Sequence, residues 1–346
     1  MANEKFQNVL SGKGNACPPI WFMRQAGRYH SHYQALRKKH SFKELCKTPE
    51  LAAEVAFGPV NDFDFDVSIL FSDILFPLEA LGLGLEYAPG PTFDRIVCHS
   101  NVDQLAEPEV AIKDLQFQAE AVKQTRARLP SHKSLIGFVG APWTLFTYAV
   151  EGSHSGNMIV SKTSLDMVNP IFERLVPLLE LNINMQLKAG AELVMLFDTS
   201  SGGLSLPLFE KIIMPSLERL TSKFPKQLGY YSKGVGSAQY DLVQTLPFAG
   251  CGYDHRFDLA SVFRAGNKTQ FVQGNFDQSL LFSDPESFEK HLDDYLKPIR
   301  QLDPDERKLW VSGLGHGVLP KTPEANVRRF VQRIREEFGE KPEGVD

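Results

Sequence analysis

Residues 134–148 read SLIGFVGAPWTLFTY. The first seven are a short apolar run without polar alternation, as expected of a strand covered on both faces in a parallel sheet. A short polar or glycine-rich break follows, and then a helical pattern. The same succession recurs along the chain. PPIWFM (18–23), VSILF (67–71), ELVMLF (192–197), LGYYS (228–232), GCGYD (250–254), TQFVQG (269–274) and LWVSGLG (309–315) are the other strand-like runs. The segments between them carry helix signals. Thr48 before Pro49 predicts an N-cap with proline at the first helical position, and Thr322 before Pro323 repeats the device. Val327, Phe330, Val331, Ile334 and Phe338 then keep helical spacing up to Gly339. About eight strands alternating with helices predict an α/β fold, a (β/α)8 TIM barrel, with a doubly wound open sheet as the alternative. We expect a single domain over residues 1–346, with short frayed ends at about 1–5 and 340–346.

At 346 residues, 42% hydrophobic and 11% aromatic, the chain has ample material for such a core. Its net charge of −5 and pI near 6.0 supply no global basic field, so nucleic acid is not an expected partner. Cys17, Cys46, Cys98 and Cys251 are widely spaced, with no CxxC pair and no zinc-finger spacing, so neither a structural zinc nor a disulfide framework is expected. No uninterrupted apolar run reaches membrane-spanning length and the N-terminus has no signal-peptide pattern. A cytoplasmic protein without membrane partners is the expectation.

The chemistry-bearing residues fall where the predicted strands end. RQAGR follows the first, SD the second, APW the third, DTSSGG the fourth, SKG the fifth, DHR the sixth, NFD the seventh and HG the eighth. In a barrel those ends share one face, and that face carries the site. Arg24 and Arg28 are four apart, so a helical turn would set them on one side, a pair suited to carboxylate or phosphate. Arg37, nine residues on, would face away on a straight helix. Asp73 in FSDIL reads either as a helix cap or as a buried carboxylate that balances a developing cation. In GAPWTLFTY, Trp143 is a candidate wall and Tyr148 a phenol for a ligand, or both are core. Lys233 in YYSKG stands where a Schiff-base lysine would sit, although most strand-end lysines are solvated. His316 in GLGHG is either an acid–base group or part of a phosphate-binding loop.

These stations, in this order, resemble the uroporphyrinogen decarboxylase family. The matching stretches are WFMRQAGRY, ELCKTPELAAEV, ILFSDILFPLEALGLGLEY, GFVGAPWTLFTYAVEG, LFDTSSGGLS, VQGNFD and LGHGVLPKTPEANV, running from about residue 6 to about 335. The resemblance implies a (β/α)8 barrel and a homodimer that uses neither metal nor organic cofactor. The implied activity converts the four acetate side chains of uroporphyrinogen to methyls, a step of heme and tetrapyrrole biosynthesis. By the same resemblance Arg24, Arg28 and Arg37 are substrate-contacting arginines, Asp73 is the central aspartate, and Tyr148 and His316 complete the catalytic set with Arg24. Phe138 and Phe197 are apolar walls, and Thr199 falls where many members have serine.

Four positions depart from the family pattern. They are Thr199, Gly313 where NLGHG would put asparagine, His255 where GLDW would put tryptophan, and Gln278 where proline is usual. Two rivals follow. One is a zinc-dependent corrinoid:thiol methyltransferase of the related barrel group, which needs His and Cys ligands that late strands here do not supply in sequence. The other is a tetrapyrrole-binding protein without turnover.

Overall fold

A computed structural model of the protein describes residues 2–87, 90–153, 156–265 and 269–339. Among the described residues there are nine strands: β1 (Val67–Ile69), β2 (Glu86–Tyr87), β3 (Pro91–Thr92), β4 (Ser134–Gly140), β5 (Val194–Asp198), β6 (Leu228–Ser232), β7 (Gly250–Gly252), β8 (Phe271–Phe276) and β9 (Trp310–Leu314). Seven of them form one all-parallel sheet in the order β1-β4-β5-β6-β7-β8-β9, with helices on the connections. β2 and β3 make a separate antiparallel ladder, which the sequence reading did not anticipate.

The predicted first strand, 18–23, shrinks to a single parallel bridge between Ile20 and Ser312. Pro18 and Pro19 have no N–H to donate, so the ladder can only begin at Ile20. What remains still joins the two edges of the sheet. Ser312 N donates to Pro19 O (2.9 Å), Trp21 N to Ser312 O (3.3 Å), and Asp66 N, just ahead of β1, to Ile20 O (2.9 Å). Beyond it the Gln25 side chain replaces backbone pairing: Phe22 N donates to its Oε1 (3.1 Å), and its Nε2 donates to Val67 O (3.1 Å). A curled sheet is thereby closed by one short stave and one amide side chain.

Strand alternation divides the core into two layers. Met195 and Phe197 of β5 face inward with Trp21, Ile69, Ile136, Tyr231, Phe271 and Val311. Val194 and Leu196 face the surrounding helices. Phe6 and Val9 of the helix Glu4–Leu10 join the inner layer. Asn3, Glu4 and Lys5 are therefore tied into the fold rather than frayed as expected. Asn3 caps that helix by accepting from Phe6 N (3.0 Å), and its own N donates to Ser134 Oγ (3.0 Å). The other expected frayed end, 340–346, lies outside the described residues.

Of the two expected helix starts, the first falls in the expected place and the second does not. Thr48 sits at the N-cap of Pro49–Phe63 but makes no side-chain capping bond. Pro323, not Thr322, is the N-cap of Glu324–Phe338, and Thr322 Oγ1 donates to Leu319 O (2.8 Å). Among the described residues no helix is long and apolar enough to cross a membrane.

Candidate active site

The strand ends converge on one mouth, and Arg24 is its hub. The chain turns sharply there: Arg24 adopts a left-handed conformation (φ 59°), so the helical turn expected to pair it with Arg28 does not form. Val318 N donates to Met23 O (2.9 Å), tying this turn to the loop after β9. Gly317 in that loop makes room for the Arg24 stem, because a Cβ there would lie 2.6 Å from Arg24 Cδ and 2.9 Å from Cγ. The Arg24 charge reaches Asp73, Tyr148, Tyr231 and His316.

Asp73 follows β1 and is half-buried. Its Oδ1 accepts from Leu75 N (2.9 Å), a local turn bond that leaves the second oxygen unused by the backbone. Burial raises its proton affinity above the ordinary carboxylate value, partly offset by the Leu75 N–H, the Tyr87 hydroxyl and Arg24. Tyr87 comes from β2, in the unforeseen antiparallel ladder, and its buried hydroxyl lies against Asp73 without a well-aligned bond. Tyr148, on the helix Pro142–Glu151, also feels both charges: burial and Asp73 push its ionisation up, and Arg24 opposes them. Arg24, Asp73 and Tyr148 are thus brought together.

An aromatic row crosses the mouth from β4 to the loop after β9. Phe138 packs on Phe197 (5.6 Å between centroids), Phe197 on Tyr231 (6.2 Å), and Tyr231 stacks on His316 (5.9 Å, 9° between planes). Tyr231 Oη donates to Gly315 O (2.8 Å) and lies 3.1 Å from His316 Nδ1. Burial pushes the His316 imidazole down to about 4, with help from Arg24 and Lys233. It is therefore neutral near pH 7. Thr199 follows β5, half-buried.

Arg28 and Arg37 are exposed, as Arg24 is, but take a different place. Both act on the Tyr33 hydroxyl. Arg37 ends the short helix Ser31–Arg37, and its Nη1 donates to His40 O (2.5 Å). It does not turn wholly away, since the buried Cys46 thiol feels Asp73 and Arg37 alike. These two arginines form a rim beside the hub.

Asp198 was missed in the sequence. It faces outward from β5, fully buried, accepting from Thr144 Oγ1 (2.7 Å) and Tyr230 Oη (2.9 Å). Burial pushes it up to about 6. Thr144 is one helical turn before Tyr148, so Asp198 fixes the helix that carries the phenol. Strand alternation counted from an inward Phe197 would have revealed it.

Two departures from the family pattern have local consequences. A Cβ at Gly313 would lie 2.7 Å from Trp21 O and 2.9 Å from Gln273 Nε2, so the Gln273 amide occupies that place. Its Oε1 is buried without a partner. His255 is exposed at the mouth, 3.9 Å from Asp277, and its backbone packs where a Gly315 side chain would be.

A family model described as uroporphyrinogen decarboxylase (URO-D) matches residues 1–337. Proteins named uroporphyrinogen decarboxylase from Pelobacter propionicus and Geotalea daltonii are 35% and 36% identical to this chain. Each alignment covers 96% of this chain and 98% of the relative. In three dimensions the chain is similar to a methyltransferase from Methanosarcina mazei, with a TM-score of 0.79 and 16% identity over 98% of this chain and 99% of that one. This last likeness concerns the fold alone. A match that takes in nearly every residue, with relatives aligned end to end at more than a third identity, means that the chain belongs to the uroporphyrinogen decarboxylase family.

Proposed function

We propose that this chain decarboxylates the four acetate side chains of uroporphyrinogen III, giving coproporphyrinogen III without metal or organic cofactor. The observation that carries this reading is Asp73, a carboxylate in a low-polarity cleft beside Arg24 and Tyr148. Protonating the ring carbon beside the acetate-bearing carbon makes an iminium-like cation on the pyrrole. The acetate C–C bond then breaks, its electron pair flows into the ring, and CO2 leaves. A further proton completes the methyl as the first ring proton departs, so each CO2 released consumes one proton. Asp73, ionised, accepts pyrrole N–H bonds and stabilises the cation more strongly than water would, because its position is fixed and its surroundings are poorly polarisable. Arg24 orients a substrate carboxylate at the centre and Arg28 and Arg37 hold others at the rim. Phe138, Phe197 and Thr199 line the bound macrocycle. His316 is neutral near pH 7 in the free protein, so on this reading it enters the reaction as a hydrogen-bonding group. A homodimer is part of this proposal, checked by sedimentation at assay concentration.

The test is anaerobic incubation with uroporphyrinogen III, resolving products by carboxyl number, with and without a chelator. Stepwise loss to the four-carboxyl product, unchanged by the chelator, is expected. Tight binding with all eight carboxyls intact would leave a binding protein. Zinc-dependent methyl transfer to a thiol would revive the methyltransferase reading. Among the described residues no three His, Cys, Asp or Glu side chains are placed to hold a metal together.

Gly317→Ala supplies a finer check. The added methyl displaces the flexible Arg24 stem rather than backbone, so the fold survives. We expect KM for uroporphyrinogen to rise about tenfold, the scale of one weakened charge-assisted hydrogen bond. An unchanged KM would detach Arg24 from substrate binding.

A further inference from the structure

The direction in which His316 offers its hydrogen follows from its neighbour. Tyr231 stands on β6, faces the barrel interior, and is almost wholly buried. Its hydroxyl has two partners, Gly315 O at 2.8 Å and His316 Nδ1 at 3.1 Å. A phenol carries one hydrogen. A carbonyl oxygen accepts only, so the Gly315 contact is a bond only if that hydrogen points to it, and this is the shorter of the two. Leaving the buried carbonyl unpaired would cost the desolvation of that group. The remaining contact is then a bond only if Nδ1 donates to the phenol oxygen. A second proton on the ring is disfavoured first by burial and then by the Arg24 and Lys233 cations, which Asp254 only partly opposes.

We infer that Tyr231 is a positioning residue that holds His316 as the neutral Nδ1–H tautomer, so that a bare Nε2 faces the ligand as a hydrogen-bond acceptor. Nε2 bonds to none of the described residues and the ring keeps an accessible edge. A bare nitrogen lone pair repels a carboxylate and takes an N–H or O–H. On the decarboxylase reading proposed above, it accepts from a pyrrole N–H or a protonated side-chain carboxyl, while the arginines take the carboxylates.

The experiment is two-bond proton–nitrogen correlation NMR of 15N-histidine-labelled protein at neutral pH, without substrate, with His316→Gln identifying the resonance. The expected spectrum has the ring hydrogen on Nδ1 in the wild type. Tyr231→Phe shifts the population toward Nε2–H and lowers kcat/KM about tenfold, the cost of roughly one hydrogen bond in the wrong sense. Its melting curve reports whether the fold is kept. A wild-type hydrogen on Nε2 overturns the inference, and so does a Tyr231→Phe tautomer identical to the wild type. Should Tyr231→Phe not fold, the wild-type spectrum alone decides. Because the spectrum needs no turnover, an Nδ1–H result in a protein that releases no CO2 would sink the proposed function and leave this inference standing.

Discussion

Asp73→Asn is expected to lower the rate of CO2 release about 10²–10³-fold while leaving the fold intact, the range seen when one preorganised electrostatic partner is removed from a transition state. The substitution isolates charge from shape. Asparagine keeps an oxygen for the Leu75 N–H, now 2.9 Å from Asp73 Oδ1, so the local turn survives. Thermal stability should move the other way. Burial raises the folded proton affinity of Asp73 above its unfolded value. A group shifted in that direction contributes stability that is present below the unfolded carboxylate range, about pH 3.9, and lost as pH rises through the folded pKa. At neutral pH the ionised side chain is therefore a cost to folding that the mutant does not carry. The mutant should melt at or above the wild-type temperature near pH 7, and the difference should vanish in acid. Anaerobic single-turnover CO2 release and melting curves across pH measure both. A rate within about threefold of wild type would remove Asp73 from the chemistry, and a lower melting temperature at neutral pH would make its role structural.

The fold was legible because buried parallel strands write themselves as continuous apolar runs. SLIGFVG and LGYYS coincide with β4 and β6 residue for residue. The first stave was over-read because apolar content alone does not register that Pro18 and Pro19 lack donors or that Gln25 supplies a side-chain amide in place of a ladder. The β2–β3 ladder was invisible for a different reason. Two-residue strands containing Pro91 have no alternation to detect, yet they deliver Tyr87 to Asp73. Asp73, Tyr148 and Arg24 were legible as strand-end and motif residues. Their grouping was not, because it depends on a positive φ at Arg24 that no arginine advertises. The accessible clue was Gly317: a residue without a side chain in GLGHG can serve an approaching side chain as readily as a phosphate.

The hub-and-rim division of the arginines makes the second large prediction. Arg24→Leu should lower kcat/KM about a hundredfold, through KM and kcat together, whereas Arg37→Leu should cost less than about tenfold and in KM alone. Arg24 is exposed in the free protein as Arg37 is, so the contrast arises once substrate fills the mouth: a charge-assisted hydrogen bond lost at its covered centre is then worth roughly 2–5 kcal/mol, one at the rim much less. Arg24 reaches Asp73, Tyr148, Tyr231 and His316, while exposed Arg37 is already bonded to His40 O. The same pair of variants yields an electrostatic readout independent of turnover. Arg24 is one of the charges holding His316 down at about 4, after burial. Removing it should raise the His316 pKa part of the way toward its ordinary value, while Arg37→Leu should leave it in place. A histidine titration by NMR, run beside the kinetics, compares the two. Equal kinetic losses in both variants would erase the distinction between hub and rim. An unmoved His316 in Arg24→Leu would show that the Arg24 charge does not reach the far side of the mouth, and the four-residue grouping would then have to be rebuilt around Asp73 alone.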